Sequence, residues 1–303
     1  MTGHRPEREQ QPVIVWGNCQ AAPIADLMRP ALATAGLQVL DVEPVYLLTA
    51  DAMAAIRPLL QRCAIFVTQP VREAAYGGGR GSDTVIEQLP DDCAVVHIPV
   101  TYDTSAFPFQ VYGHGADGAR VNAPITDYHD LRTAVAAAHG MTSTQAAAWW
   151  PAPSTDGTQH HAAASRAELR HRELSLDVHT SDLLDDPAAL WTMTHPTNGL
   201  LARKAQRVLE VLHERGVLPA ASPVEPGERE YLGERRAPVE AAVAQALGWP
   251  SSATRETWTV DGRALPLVEL LEAHLELYAK RPDVVADLLH RHAERLQLLG
   301  VPV

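Results

Sequence analysis

Short apolar runs alternating with helical spacings fill the first hundred residues. Val13-Ile14-Val15-Trp16, Ala64-Ile65-Phe66-Val67-Thr68 and Ala94 to Pro99 are continuous, brief and rich in β-branched or aromatic side chains, which predicts buried strands. Leu37 to Leu48 predicts a further strand, bent at Pro44 or lying at a sheet edge. Between these runs the pattern changes to a helical period. Ile24, Leu27, Met28 and Leu32 share one face over Pro23 to Ala33, and Pro23 fits the first turn, where a missing N–H costs nothing. Asp51 caps a second helix carrying Met53, Ile56, Leu59 and Leu60 on one face, and a short helix is expected over Thr84 to Leu89. This rhythm predicts an α/β fold: a mainly parallel sheet flanked by helices.

Beyond residue 100 the pattern loosens. Thr101 to Asn122 is rich in Pro, Gly and aromatic residues and predicts an irregular segment at a sheet edge or pocket rim. Leu131 to Trp150 favours one helix, Pro151 to Thr158 a loop, and Glu168 to Leu174 a charged helix. Gly199 to His213, a helix opened by Pro238, Leu267 to Ala279 and Val284 to Leu299 complete a helical C-terminal part. The expected organisation is a disordered tail over 1–11 and a single α/β domain over 12–303. That domain carries an irregular and helical insertion around 101–165 and a helical region over 199–303.

The 303 residues suffice for a large core, and 25 basic against 37 acidic residues give a net charge of −12. With the two signs interspersed, this balance argues against a nucleic-acid partner, whose affinity rests on a basic surface. Three cysteines without close spacing point to reduced thiols and a cytoplasmic setting. The polar N-terminus does not read as a signal peptide, and no apolar run approaches the roughly 20 residues of a membrane span, so no membrane insertion is expected. The sequence is compatible with a homo-oligomer.

The candidate chemistry begins at Gly17-Asn18-Cys19-Gln20, where the first strand passes into the first helix. A thiol there lies near unpaired helix N–H groups and a positive dipole end, a setting that favours a thiolate nucleophile. Against this stands the ordinary role of a free cysteine as a small buried hydrophobe, which is how Cys63 and Cys93 read. Asn18 and Gln20 supply amide donors for an oxyanion. In parallel sheets ligands gather beyond the carboxyl ends of the strands, which adds Gln69 and His97. The Gly77-Gly78-Gly79-Arg80-Gly81 run matches no nucleotide fingerprint and is either a surface loop or a lid whose Arg72 and Arg80 meet phosphate. Arg203 and Lys204, at a helix start, are further phosphate candidates. His195, held extended before Pro196, is placed to point into a site. His160-His161 lacks partners at ligand spacing, so no metal is expected, and His274, His290 and His292 read as exposed or core-edge residues.

Gly17-Asn18-Cys19-Gln20, Thr68-Gln69-Pro70, Arg172-Glu173 leading to Ser181-Asp182, and Thr194-His195-Pro196-Thr197-Asn198, in that order, resemble the WcbI-type polysaccharide biosynthesis enzymes. The resemblance covers most of the chain, and the family is also similar to Ser-Gly-Asn-His hydrolases with cysteine in place of serine. It implies coenzyme A or acyl-coenzyme A as ligand and acyl transfer to a hydroxyl of a glycan or small metabolite. On this reading Cys19 attacks the thioester and His195 serves as base. Asp182 or Glu173 orients the imidazole, Asn18, Gln20 and Gln69 hold the oxyanion, Asn198 contacts substrate, and Arg172 meets phosphate. Two other readings stay open: a thioesterase or esterase using Cys19 and His195, and a coenzyme-A- or glycan-binding protein without turnover.

Overall fold

The computed structural model describes residues 11–302, which form two compact units. Residues 1–10 of the expected tail lie outside the described residues, and Gln11 already opens the first strand.

The first unit combines residues 11–100, 170–184 and 196–232. Its centre is a four-stranded parallel sheet of β1 (Gln11–Trp16), β2 (Leu37–Val39), β3 (Ile65–Thr68) and β4 (Ala94–His97), in the order β2-β1-β3-β4. Both faces are covered, which explains why β1 is a continuous apolar run rather than an alternating one. Val13, Val15, Ile65 and Val67 pack with α1 (Ala21–Thr34) and the Asn198–Glu214 helix. Ile14, Trp16 and Phe66 pack on the opposite face with Met53 and Leu60 of α2 (Ala50–Leu60). Cys63 and Cys93 join that second core, as expected of structural cysteines. The expected long second strand shrinks to three residues. After Val39 the chain leaves the sheet, and Val45 N–H returns to donate to Gly17 O at 2.9 Å.

The second unit combines residues 101–169, 185–195 and 233–302. It is mainly helical, with small antiparallel pairs such as Gln110–Val111 with His129–Asp130 and a three-stranded sheet of Arg235–Arg236, Trp258–Val260 and Arg263–Leu265. The expected 131–150 helix is two helices, Leu131–Ala138 and Ser143–Trp149, because Gly140 takes a left-handed φ of 64° and Thr142 starts anew with a capping box. The predicted loop holds only over 151–154: its last residues, 155–158, and the charged helix expected at 168–174 belong to one helix, Thr155–Glu173. The last expected helix is likewise split at His292 into Pro282–Arg291 and Ala293–Leu298. His274, expected to be exposed or at the core edge, is fully buried, its Nε2 3.1 Å from Pro124 O. Among the described residues no helix is long and apolar enough to cross a membrane.

Candidate functional site

The sheet order brings the first two motifs together. Trp16 pairs with Thr68 across β1 and β3, so Gly17 and Gln69 leave the sheet side by side at its carboxyl end. Gln69 N–H donates to Trp16 O at 2.9 Å, and its side chain turns back so that Oε1 accepts the Asn18 N–H at 2.8 Å. Only glycine permits this at position 17, since a Cβ there would lie 2.6 Å from Gln69 Cδ. Ser82 fixes the other end of the residue: its hydroxyl donates to Gln69 O at 2.6 Å and accepts the Val71 N–H at 2.9 Å. Gln69 is buried, and its Nε2 has no hydrogen-bond partner among the described residues. A buried amide donor without an acceptor is costly unless something completes it.

Cys19 occupies the turn that this arrangement holds. Asn18 Oδ1 accepts the Gln20 N–H at 3.0 Å and Asn18 O accepts the Ala21 N–H at 2.9 Å, closing the chain around the cysteine. The side chain is half-buried against the α1-side core. Helix α1 has no side-chain hydrogen bond from its N-cap residue Gln20 and no acidic residue in its first turn. Asn18 thus contributes its side-chain oxygen to the turn, while the expected oxyanion role of Gln20 meets a different constraint. Gln20 is buried and its Oε1 accepts from Lys204 Nζ at 3.3 Å.

Lys204, expected to meet a phosphate, has no exposed surface. Its ammonium donates to Pro99 O as well as to Gln20. Burial pulls its pKa down to about 7, against a smaller upward pull from Glu173. Glu173 is itself buried and accepts the Thr180 N–H at 2.7 Å, the Thr180 hydroxyl at 2.9 Å and the Ser181 N–H at 3.2 Å. Asp182 faces solvent and holds Arg207 in a bidentate pair at 2.7 and 2.6 Å, which keeps its pKa below the usual carboxylate value. Each carboxylate proposed to orient an imidazole therefore has a structural task of its own. An imidazole–carboxylate contact in the first unit is His97 with Asp177, Nδ1 to Oδ2 at 3.3 Å, at the end of β4, and Asp177 also pairs with Arg215.

The remaining candidates separate. Asn198 spends its carboxamide on the chain: Nδ2 donates to Gly227 O at 2.9 Å and Arg229 O at 2.7 Å, and Oδ1 accepts the Tyr231 N–H at 3.2 Å. Here it tethers the 227–231 segment to the start of the helix. Arg80 donates to Tyr76 O at 3.0 Å and Leu48 O at 2.6 Å. The glycine-rich loop is not an empty anion cradle, because Glu73 already accepts the N–H groups of Gly79 at 2.8 Å and Gly81 at 2.6 Å. Those bonds draw the Glu73 pKa down. Arg72 and Arg203 are exposed and Arg172 is half-buried.

His195 belongs to the second unit. Its backbone N–H donates to Thr192 Oγ1 at 3.2 Å, and the edge of its ring meets Tyr128 with centroids 6.3 Å apart. Tyr128 stacks in turn on Trp258 at 6.2 Å, and its hydroxyl contacts Thr194 Oγ1 at 2.6 Å. The carboxylate beside His195 Nδ1 is Glu234, at 3.5 Å. The sequence carried no signal for Glu234 or Trp258, which lie far along the chain in weakly patterned segments. His161 has its Nε2 3.0 Å from Thr104 Oγ1, and no metal-ligating cluster occurs among the described residues.

The family described as "Polysaccharide biosynthesis enzyme WcbI" matches residues 12–216. A solved structure is similar over 96% of this chain and 97% of its own, with a TM-score of 0.77 and 16% sequence identity. It is described as native WcbI, a novel polysaccharide biosynthesis enzyme, without a disulfide bond between coenzyme A and one of its cysteines. At that identity the likeness shows a shared fold. No relative matches among curated proteins.

Proposed function

Because the chain belongs to the WcbI family of polysaccharide biosynthesis enzymes, we propose that it transfers an acyl group from acyl-coenzyme A to a hydroxyl of a glycan or related metabolite, with Cys19 as nucleophile. The observation that carries this reading is the turn itself. A half-buried thiol sits at a helix start with no acidic residue in its first turn, beside the Gly17–Asn18 turn held by a buried Gln69 whose Nε2 has no partner among the described residues. The solved relative's description links a cysteine of that protein to coenzyme A, and Cys19 is the cysteine of this chain in a strand-to-helix turn.

The thiolate Sγ attacks the thioester carbonyl carbon and forms a new C–S bond. Gln69 Nε2 donates to the oxygen that becomes negative, so its missing hydrogen bond is made in the transition state rather than before it. Collapse breaks the bond to the coenzyme A sulfur, which leaves as a thiolate and takes its proton from water. The acceptor oxygen then displaces Sγ from the acyl carbon, and its proton passes to a base, the role the sequence gives to His195. Lys204 enters as the brace of Gln20 rather than as a phosphate ligand.

Intact mass of the protein incubated with acetyl-coenzyme A, beside Cys19→Ala, tests the assignment. A gain of one acetyl group on the wild type alone supports it. An equal gain on both proteins, or full turnover by Cys19→Ala, overturns it.

A further inference from the structure

A chain of buried hydroxyls fixes the backbone that carries His195. Thr192 Oγ1 accepts the N–H groups of Thr194 at 3.4 Å and His195 at 3.2 Å, and donates its own hydrogen to the Tyr128 hydroxyl at 3.0 Å. Tyr128 in turn contacts Thr194 Oγ1 at 2.6 Å. All three side chains are buried, so each hydroxyl holds its neighbour in one orientation. What this chain does not fix is the imidazole's protonation pattern. The ring meets Tyr128 edge-on at 79°, a packing contact that does not distinguish one ring nitrogen from the other. A neutral imidazole has one N–H and one lone pair, and the partner of one nitrogen decides which nitrogen holds which.

The same scaffold delivers Glu234. Tyr128 stacks on Trp258, which opens the strand Trp258–Val260; that strand pairs with Arg235–Arg236, and Glu234 is the residue just before it. Glu234 O accepts the Asp261 N–H at 2.7 Å, and Ala237 N–H donates at 2.8 Å to Trp191 O in the strand that leads to His195. The backbone on both sides of the pair is thus tied down. Glu234 Oε1 lies 3.5 Å from His195 Nδ1, a ring atom shielded from solvent. Arg235 does not claim this carboxylate: its Nη1 is 3.9 Å from Glu234 but 3.4 Å from Asp127, and its Nε donates to Ile125 O at 3.1 Å. The contact to His195 is longer than the usual hydrogen bond of about 2.7–3.2 Å, and such catalytic contacts commonly tighten only when substrate is in place.

We infer that Glu234 is the positioning residue of His195: its carboxylate holds the Nδ1–H, which leaves the lone pair on Nε2. The use of that lone pair rests on the acyl-transfer reading, in which His195 is the base. Nε2 takes the proton of the acceptor hydroxyl as the acceptor oxygen bonds to the acyl carbon and Sγ departs as a thiolate. The imidazolium, stabilised by the carboxylate at Nδ1, then gives its proton to water, and Glu234 stays ionised throughout. The two carboxylates that the sequence offers for this task belong to the first unit, Glu173 bonded to Thr180 and Ser181 and Asp182 to Arg207.

Long-range ¹⁵N–¹H NMR of the full chain with ¹⁵N-labelled histidine reads the tautomer directly, at a pH where the imidazole is neutral. His195 is identified among the 14 histidines by the signals lost in His195→Asn. The wild type is expected to carry its proton on Nδ1, and Glu234→Gln to do the same, because a carboxamide oxygen still accepts from Nδ1–H. Glu234→Ala should turn the Nδ1–H form into the minority. In parallel, coenzyme A release from acetyl-coenzyme A with glucose as acceptor should slow by about 10- to 100-fold in Glu234→Ala, in kcat and not in KM. An Nε2–H tautomer in the wild type, or a tautomer unchanged in Glu234→Ala, overturns the inference. A tautomer that shifts while kcat stays constant upholds Glu234 as the positioning residue and instead removes His195 from the proton transfer, so the two readings fail separately.

Discussion

Lys204 gives the sharpest test of the first unit. A lysine with an ordinary pKa of 10.5 held at about 7 binds fewer protons in the folded chain than in the unfolded one between those values. Stability rises with pH wherever the unfolded state binds more protons. The buried ammonium therefore imposes its full penalty below pH 7, and the penalty is relieved as the pH climbs toward 10.5. The shift corresponds to about 5 kcal/mol in total at ~1.4 kcal/mol per pKa unit. Because the folded group is half-neutral at pH 7, roughly 2 kcal/mol of that relief falls between pH 7 and 9.

Replacement Lys204→Met keeps an unbranched side chain in the apolar stripe and removes the titration. It leaves Pro99 O and Gln20 Oε1 without this donor, a loss of about 1–3 kcal/mol for each group that does not vary with pH. The mutation thus moves the whole curve by one amount and changes its slope by another, and only the slope tests the buried charge. Urea unfolding of both proteins at pH 6.5 to 9.5 and constant ionic strength measures it. The wild type should gain about 2 kcal/mol on the variant between pH 7 and 9. Curves that stay parallel to within about 0.5 kcal/mol would refute the reasoning and mean that Lys204 keeps an ordinary affinity for its proton.

Gly17→Ala should push the Gln69 carboxamide off the Asn18 N–H, costing about 1–3 kcal/mol of stability and lowering acyl transfer. Unchanged turnover would separate Gln69 from the chemistry. Asn198→Ala should cost about 2–3 kcal/mol in urea unfolding and expose 227–231 to proteolysis; a raised KM with stability intact would instead restore a substrate role. Glu73→Ala should speed hydrogen exchange at Gly79 and Gly81 about tenfold or more, and unchanged exchange would mean the loop is held by other contacts. His195→Asn should slow turnover by about 10²- to 10⁴-fold without weakening ligand binding. Activity near the wild-type level removes the imidazole from the mechanism.

What the sequence disclosed follows from how many constraints each stretch carries. Val13 to Trp16 was legible as a strand because both faces are buried and no residue contradicts the pattern. The neighbourhood of Cys19 was legible once β1 and β3 were taken as adjacent, and their pairing places Gln69 there. The Thr155–Glu173 helix was not legible, since it is polar around most of its surface and carries Gly157 near its start. That glycine has a tertiary reason: a Cβ there would lie 2.8 Å from the Leu298 carbonyl carbon. Glu73 escaped notice because a carboxylate that fills a glycine loop looks, along the chain, like any exposed acid.

Lys204 is different, because the signal was present and was outweighed. In the Asn198–Glu214 helix, Leu201, Ala205, Val208 and Leu212 mark the buried stripe. Lys204 stands three residues after Leu201 and four before Val208, on that same stripe, whereas Arg203 turns about 100° away toward solvent. Two adjacent cations at a helix start suggest a shared phosphate only if both can reach it, and the helical period forbids that. Its face points Lys204 inward, where it meets Gln20 and Pro99. A charge on an apolar stripe is expensive wherever it occurs, and the bonds to Gln20 and Pro99 that offset part of that cost are what join this helix to the Cys19 turn.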